Sequence, residues 1–438
     1  MSMIVIAHQV LMFNGGPVSD GYMFDKKVTS LFGLLLIHAD LLVDTFFLVS
    51  GLLTAFTVTK INVRLNIILS LFLKRYLRLV VAYALVIYYV SAVYPYTGSG
   101  PLWHRAVAQD TVQCRKNWWL SLLMLGNYVD TDNMCLIVTW YIPCDYHFFV
   151  ITVLMYCLYT RFTKASRLLI GAVMAAAVVT PGIINYINNL PPIQMFTYDF
   201  MTNFRGPRQF HITYIKSHTR YAAYLIGFFT GCIIEKYSKD TVKRISQKWA
   251  IIGSCVGFTT MMVTQLTGSM VLWREFTAIE SALYAAFNRP IWACGAALFT
   301  LSCVFGNVPL VNSFLRWYPW VPLSRLSYGV YLVHSVIILR DVSVTRTAPH
   351  NDIFMEIAES MGVIVISCFI AFLIILLAES PVNNLSTLAL VTKSRTKSSQ
   401  PGLKATLDEQ AMTNNGNVQE IGYFKGTIPS SVHVDSKL

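Results

Sequence analysis

Charged side chains are scarce in this sequence. Only 13% of its 438 residues are Asp, Glu, Lys or Arg, whereas 55% are hydrophobic. So few charges leave too little polar surface to coat a water-soluble globule of this length. The composition therefore argues against an ordinary soluble protein and predicts one whose apolar surface faces the lipid bilayer.

Several motifs of familiar chemistries are also missing. The chain has no GxSxG elbow, no HExxH helix, no Walker A loop and no GxGxxG turn. Its nine cysteines form no CxxC pair, and several lie within apolar runs. We therefore expect neither a metal site nor a bound cofactor.

The net charge of +12 does not indicate a nucleic-acid partner. Proteins that bind nucleic acid gather Lys and Arg into one basic patch, often with interleaved aromatic residues. Here the basic residues lie between apolar segments instead. We expect no nucleic-acid binding, and the lipid bilayer is the predicted partner.

Apolar segments with the composition of membrane spans recur along the chain. Ten are predicted, near residues 1–13, 31–57, 67–93, 138–160, 167–187, 220–235, 249–267, 283–305, 322–340 and 357–378. The first is too short to cross a bilayer and is interpreted as the outer part of a helix truncated at its N-terminal end. The predicted fold is all-α, a polytopic transmembrane helical bundle with about ten spans.

Loop charge predicts the orientation of the bundle. Cytoplasmic loops carry the excess of Lys and Arg, and one alternating set of loops is clearly basic. This set contains Lys60, Arg64, Lys74, Arg75, Arg78, Arg161, Lys164, Arg167, Lys236, Lys239, Lys243, Arg244, Lys248, Lys393, Arg395 and Lys397. Both chain ends are therefore predicted to be cytoplasmic, in either the plasma membrane or an endomembrane.

Two cysteines lie in the loops of the opposite side. Cys114 and Cys135 flank a Trp-rich segment, and that position suits an oxidising compartment. We hypothesise that they form a disulfide bond.

The chain is predicted to have two parts. Residues 1–385 form the membrane domain. Beyond about residue 391 the composition shifts to Ser, Lys, Asn and Gly, which is typical of disordered segments. Residues 386–438 are therefore predicted to be a disordered cytoplasmic tail.

Ionisable residues inside predicted spans are the first candidates for function, because burying them in lipid is expensive. His8 is one, since an imidazole titrates near neutral pH and can remove a proton from an acceptor hydroxyl. Its alternative interpretation is a hydrogen-bonded core histidine. Asp44 could orient such a histidine, or it could hold the bundle together at a packing position beside Ser50 and Gly51.

Arg75 and Arg78 lie at i, i+3 spacing in FLKRYLRL and share one helix face. Guanidinium groups suit the phosphates of an acyl-CoA, although such clusters also serve as positive-inside anchors. Asp145, Tyr331 and His334 are candidate cavity-lining residues in two further polar stretches. Interfacial aromatics and hydrogen bonds within the bundle are the alternative there.

An ordered series of short motifs covers the chain to about residue 385. It reads SMIVIAHQ, DTFFLVSGLLTAF, KRYLRL, Cys114 with NWW and then Cys135, TWYIPCDYHFF, RYAAYLIGFFTG, NRPIWACG, PLSRLSYGVYLVH and ESP. In this order and spacing the chain resembles the membrane acyltransferase type 3 family, specifically its animal branch called nose resistant to fluoxetine.

The resemblance implies roles for four residues. His8 matches the family's first-span catalytic histidine, Asp44 matches the acid of its D-x-FF-x-x-SG signature, and Arg75 and Arg78 match its donor-side RxxR motif. The implied reaction moves an acyl group from a cytoplasmic acyl-CoA, the co-substrate, to a hydroxyl acceptor that is a lipid, a sugar or another small molecule. His147 stands where family members commonly have glutamine.

The start of the chain differs from the usual pattern of this branch. The animal branch usually carries a secreted-side domain ahead of the acyltransferase unit, and this chain starts after that point. Because a fold does not prove a chemistry, the alternative function is a membrane transporter or a lipid- or drug-handling protein that reuses the fold without catalysis.

Overall fold

The structure, a computed structural model, describes residues 1–14, 40–61, 64–194, 205–238, 245–347, 353–382 and 384–385, together with residues 22, 26, 30, 33 and 38. The predicted tail at 386–438 lies outside the described residues. So does most of the segment at 31–39, where the second predicted span was expected to begin.

Within these ranges the chain forms helices and no strands. The helices are α1 (Ser2–Asn14), α2 (Asp40–Val58), α3 (Leu65–Tyr88), α4 (Trp103–Leu122), α5 (Tyr141–Arg161), α6 (Thr163–Asn188), α7 (Tyr221–Ser238), α8 (Gln247–Thr267), α9 (Ala278–Phe305), α10 (Pro309–Leu315), α11 (Trp320–Val344) and α12 (Ile353–Ile374). Helices suit apolar sequences in lipid because each satisfies its own backbone hydrogen bonds.

Seven of the helical segments are long and apolar enough to cross a membrane. An eighth is counted if α9 and α10, bent by 95° at their junction, form one span. The all-α polytopic bundle is thereby confirmed, and the protein is an integral multi-pass membrane protein. The count of about ten stays a prediction, because α1 and α7 are helical but are not among these seven or eight.

Burial separates central from peripheral helices. In an 18-residue stretch of the span Ile137–Arg161, which contains α5, 61% of the residues are buried inside the bundle, against 17% in a stretch of the same length in Phe354–Val382, which contains α12. α7 packs between α2 and α9, and α1 packs against α11 and α12. The apolar side chains of α12 are therefore left to face lipid, whereas α2, α5 and α7 form the centre.

Glycines bring α2 and α7 into backbone contact. A methyl group added at Gly51 would collide with the Tyr224 carbonyl oxygen, and one at Gly227 would collide with that of Leu48. A methyl group added at Gly231, four residues after Gly227, would lie 2.6 Å from the Leu52 carbonyl oxygen. Small residues four apart allow this approach in membranes, so the GFFTG segment is a packing motif.

The structure confirms the disulfide between Cys114 and Cys135. It ties the buried face of α4 to the loop that precedes α5, and both cysteines are fully buried. The bond therefore restrains, relative to α4, the loop that leads into α5.

We predict that Gly227→Ala lowers the stability and the membrane abundance of the protein, because its methyl group forces α2 and α7 apart. Gly171→Ala is the matched control, since Gly171 has open space around it and alanine favours helix by about 1 kcal/mol. The measurement is thermal unfolding in detergent. Equal unfolding temperatures for the two variants would contradict the close packing of these helices.

Loss of the disulfide is expected to destabilise the fold. A loop of 21 residues corresponds to about 3 kcal/mol of stability by the chain-entropy account. We expect Cys114→Ala and Cys135→Ala each to lower the unfolding temperature, and Cys255→Ala, at an exposed free cysteine, to leave it unchanged. Maleimide labelling of both Cys114 and Cys135 without reductant would show that the bond does not form.

Candidate functional site

Two histidines meet where α1 packs against α11. The rings of His8 and His334 lie edge to face, with their centroids 5.2 Å apart. His334 is buried, and His8 is half-buried. The predicted catalytic residue and one of the predicted cavity-lining residues are therefore brought together by the tertiary structure.

The hydrogen bonds of His334 define its tautomer. Its Nδ1 lies 2.7 Å from the Tyr331 carbonyl oxygen and 3.1 Å from that of Val330. A carbonyl oxygen only accepts hydrogen bonds, so Nδ1 carries the hydrogen and Nε2 of the neutral ring keeps its lone pair. His334 can thus accept a proton or a hydrogen bond on the side away from its own helix turn.

Tyr331 connects this pair to the centre of the bundle. Its hydroxyl donates a hydrogen bond to the Val138 carbonyl oxygen. Its ring lies 6.0 Å from that of His334 and 5.6 Å from that of Tyr141. Because its hydroxyl is hydrogen-bonded to the backbone, the Tyr331 ring is held in place between His334 and Tyr141.

Arg75 is held inside the bundle and does not lie free at its edge. Its Nη2 lies 2.7 Å from Asp145 Oδ2 and 2.6 Å from Ser50 Oγ. Nη1 reaches Thr54 Oγ1 at 3.3 Å, and the guanidinium stacks 4.2 Å above the Phe149 ring. The side chain predicted to bind phosphate thus already joins α3 to α2 and α5.

Arg78, one turn along α3, differs from Arg75. Its side chain is 67% exposed, and its Nε lies 3.6 Å from Glu379 Oε1. Such an open ion pair holds an arginine only weakly. Of the two predicted donor-side arginines, Arg78 is the more exposed.

Asp44 does not contact His8, which corrects the expectation that it orients this histidine. Its Oδ1 lies 3.1 Å from Arg220 Nη1, and its Oδ2 lies 3.2 Å from Arg289 Nε. Both Asp44 and Arg220 are completely buried. A carboxylate at this depth needs compensating charge, and two arginines supply it more effectively than a histidine that changes its charge near neutral pH.

The same arginines also bind a second acid at the start of α2. Asp40 Oδ2 lies 3.2 Å from Arg289 Nη2 and 3.7 Å from Arg220 Nη2. Asp40 Oδ1 meets His38 Nδ1 at 3.2 Å. We call Asp40, Asp44, Arg220 and Arg289 the charge cluster. The negative charges of its two carboxylates are balanced by the positive charges of its two guanidinium groups.

Aromatic rings and a small cavity surround the charge cluster. The Arg220 guanidinium lies 4.6 Å from the Trp140 ring centroid and 4.5 Å from that of Tyr214, which compensates part of its lost hydration. Asp40, Arg289 and Asn185 border a cavity of about 30 Å³, room for one or two water molecules.

The sequence interpretation missed Arg220 and Arg289 as site residues. The available signal was their position, since 220–235 and 283–305 were both predicted spans and arginine is rare inside such segments. Among the described residues, no group of three or more His, Cys, Asp and Glu side chains could hold a metal ion.

We predict that Asp44→Asn destabilises the fold by about 3–5 kcal/mol, because it leaves buried arginine charge uncompensated. Lys60→Gln is the control: Lys60 pairs with Glu235 at 3.7 Å but is 62% exposed, so its loss costs under about 1 kcal/mol. Detergent-solubilised variants are compared by thermal unfolding. An Asp44→Asn protein as stable as the control would show that the cluster does not hold the fold.

Comparison with known proteins identifies the family. Residues 1–378 match the family model described as acyltransferase domain. The chain is 25% identical over 385 residues to nose resistant to fluoxetine protein 6 of Caenorhabditis elegans, covering 82% of this chain and 46% of the relative. It thus spans about half the length of the curated relative it matches, and no solved structure matches it. The chain belongs to the acyltransferase type 3 family and is similar to its nose resistant to fluoxetine branch.

Proposed function

We propose that the protein transfers an acyl group from a cytoplasmic acyl-CoA to the hydroxyl group of a lipid, a sugar or another small acceptor. Family membership supports an acyltransferase of the membrane-embedded type. The observation that carries the proposal is the contact between His8 and His334, whose Nδ1 hydrogen is fixed by two backbone carbonyls.

In this reaction His8 acts as the general base. It removes the proton of the acceptor hydroxyl while the oxygen attacks the thioester carbonyl carbon. The carbon–sulfur bond then breaks, and the CoA thiolate takes the proton back from the His8 imidazolium. His334 contributes as a positioning residue, because its Nε2 lone pair can accept a hydrogen bond from His8 and hold that ring in one orientation.

The donor phosphates are assigned to Arg78. It is exposed on α3 and weakly paired, and its planar guanidinium suits phosphate. Arg75 forms an ion pair with Asp145. In this mechanism Arg75 therefore stabilises the bundle beside the donor and is not the first arginine to contact the donor phosphates. The lipid bilayer shields the reacting groups from water.

The alternative is a membrane transporter or a lipid- or drug-handling protein. The observation that favours it is the charge cluster, since paired acids and arginines inside a membrane protein also occur on transport pathways. No CoA release by folded protein, together with saturable movement of a labelled hydrophobic compound across liposomes, would support this alternative.

The test of acyl transfer is CoA release by the protein in liposomes, measured with acetyl-CoA and palmitoyl-CoA. We expect His8→Ala to lower the turnover rate by about 100-fold or more, the usual contribution of a general base. His334→Gln is expected to lower the turnover rate less and to change its pH profile, because His334 influences the ionisation of His8. A merely structural residue would leave the pH profile unchanged.

Arg78→Gln is expected to raise KM for acyl-CoA with little change in turnover number, since it removes binding common to ground and transition states. Lys74→Gln, at another exposed residue of α3, is the matched control and should resemble the wild type.

A folded His8→Ala protein with the wild-type rate would remove His8 from the mechanism.

A further inference from the structure

A large groove lies at the end of the bundle where α5 begins and α6 ends. Its volume is about 740 Å³, and residues from α5, α6 and the segments at 123–128 and 217–221 line it. The walls are mainly apolar, with Leu123, Phe148, Ile151, Val173 and Ala176 among them. This volume is in the range of pockets that hold small organic ligands, about 300–1,000 Å³.

Polar groups of the groove, and Lys216 beside it, gather around Tyr128. The Tyr128 hydroxyl lies 3.2 Å from His218 Nδ1, and the Tyr128 ring lies 6.0 Å from that of His147. Lys216 Nζ is 5.0 Å from the centroid of the Tyr128 ring and donates a hydrogen bond to the Asn127 carbonyl oxygen. An ammonium group and two imidazoles therefore surround the Tyr128 ring.

The charge at this end of the groove favours an anion. The described residues that line it include no Asp or Glu. Asp132 is an acid whose charge acts on Lys216, and its side chain is 77% exposed and lies 3.4 Å from His211. Burial lowers the pKa of Lys216 from its ordinary value, and an anionic ligand would compensate that loss of hydration.

We propose that this groove binds a long-chain fatty acid, with the hydrocarbon chain against the apolar walls and the carboxylate beside Lys216 and His218. An apolar chain would leave the lipid environment at little cost and fill the groove. The carboxylate would gain a charged partner and hydrogen-bond donors. A neutral lipid head group would gain less from the same groups, because it carries no charge.

Fatty-acid binding at this site does not require catalysis. Phe148 and Tyr221 line the groove, whereas His8 packs against His334 between α1 and α11. A protein without acyltransferase activity can therefore still bind the fatty acid, and His8→Ala is expected to bind it as the wild type does.

The experiment is photo-crosslinking of the full chain in neutral lipid nanodiscs by a palmitic acid that carries a diazirine and an alkyne. Labelled peptides are expected to contain residues of α5 or α6 that line the groove. Ala176→Trp, which fills the groove, should abolish this labelling. Ala175→Trp is the matched control, because Ala175 is exposed on the same helix and does not line the groove.

A second comparison tests the head-group site without filling the groove. Lys216→Gln should reduce labelling by the fatty acid about tenfold, the loss of one charge-assisted hydrogen bond. Labelling by the matching fatty alcohol should not change. Equal loss with both probes, no loss with either, or labelling that survives Ala176→Trp would overturn the proposal and indicate ordinary contact with bilayer lipid.

Discussion

The compensation of buried charge constrains the centre of this bundle more than any other interaction. An isolated arginine or aspartate inside a membrane is strongly unfavourable, and Asp44 and Arg220 are both fully buried. Their pairing, extended by Asp40 and Arg289, joins the first half of α2 to the start of α7 and to α9. Movement of any of these helices would separate opposite charges in a low-dielectric interior.

α2 depends on this constraint because it serves several neighbours along its length. Asp44 binds the two arginines, Ser50 and Thr54 bind Arg75, and Gly51 lies against the backbone of α7. The Arg75 to Asp145 ion pair then carries the same restraint to α3 and α5. Arg75 and the charge cluster are thus parts of one packed unit, and a change in α2 would alter the contacts of both.

Aromatic rings connect the histidine pair to the groove. From His334 the contacts run through Tyr331 and Tyr141 to Phe47, which stacks on Tyr141 at 4.6 Å and meets Phe148 at 5.0 Å. Phe148 lines the groove. Rings packed in this way are rigid, so one series of packed rings links the proposed fatty-acid site to the proposed catalytic pair, although the two lie at different helix interfaces.

The sequence by itself determined the class of the molecule. Its apolar segments predicted a helical membrane bundle because lipid requires backbone groups to be satisfied within each segment, and ordered motifs predicted the family. The disulfide followed from the position of Cys114 and Cys135 in loops on one side. The tail at 386–438, both chain-end orientations and the roles of His8, Arg75 and Arg78 remain predictions.

Only the tertiary structure decided which side chains meet. Helical periodicity identifies the residues that share a face but not the helix that the face contacts, so the sequence leaves open whether Asp44 orients His8 or bonds within the bundle. The structure places it beside Arg220 and Arg289. For the same reason the contact between His8 and His334, more than 320 positions apart in the sequence, could not be predicted. Long-range pairing depends on how the helices pack, and that is a property of the whole bundle.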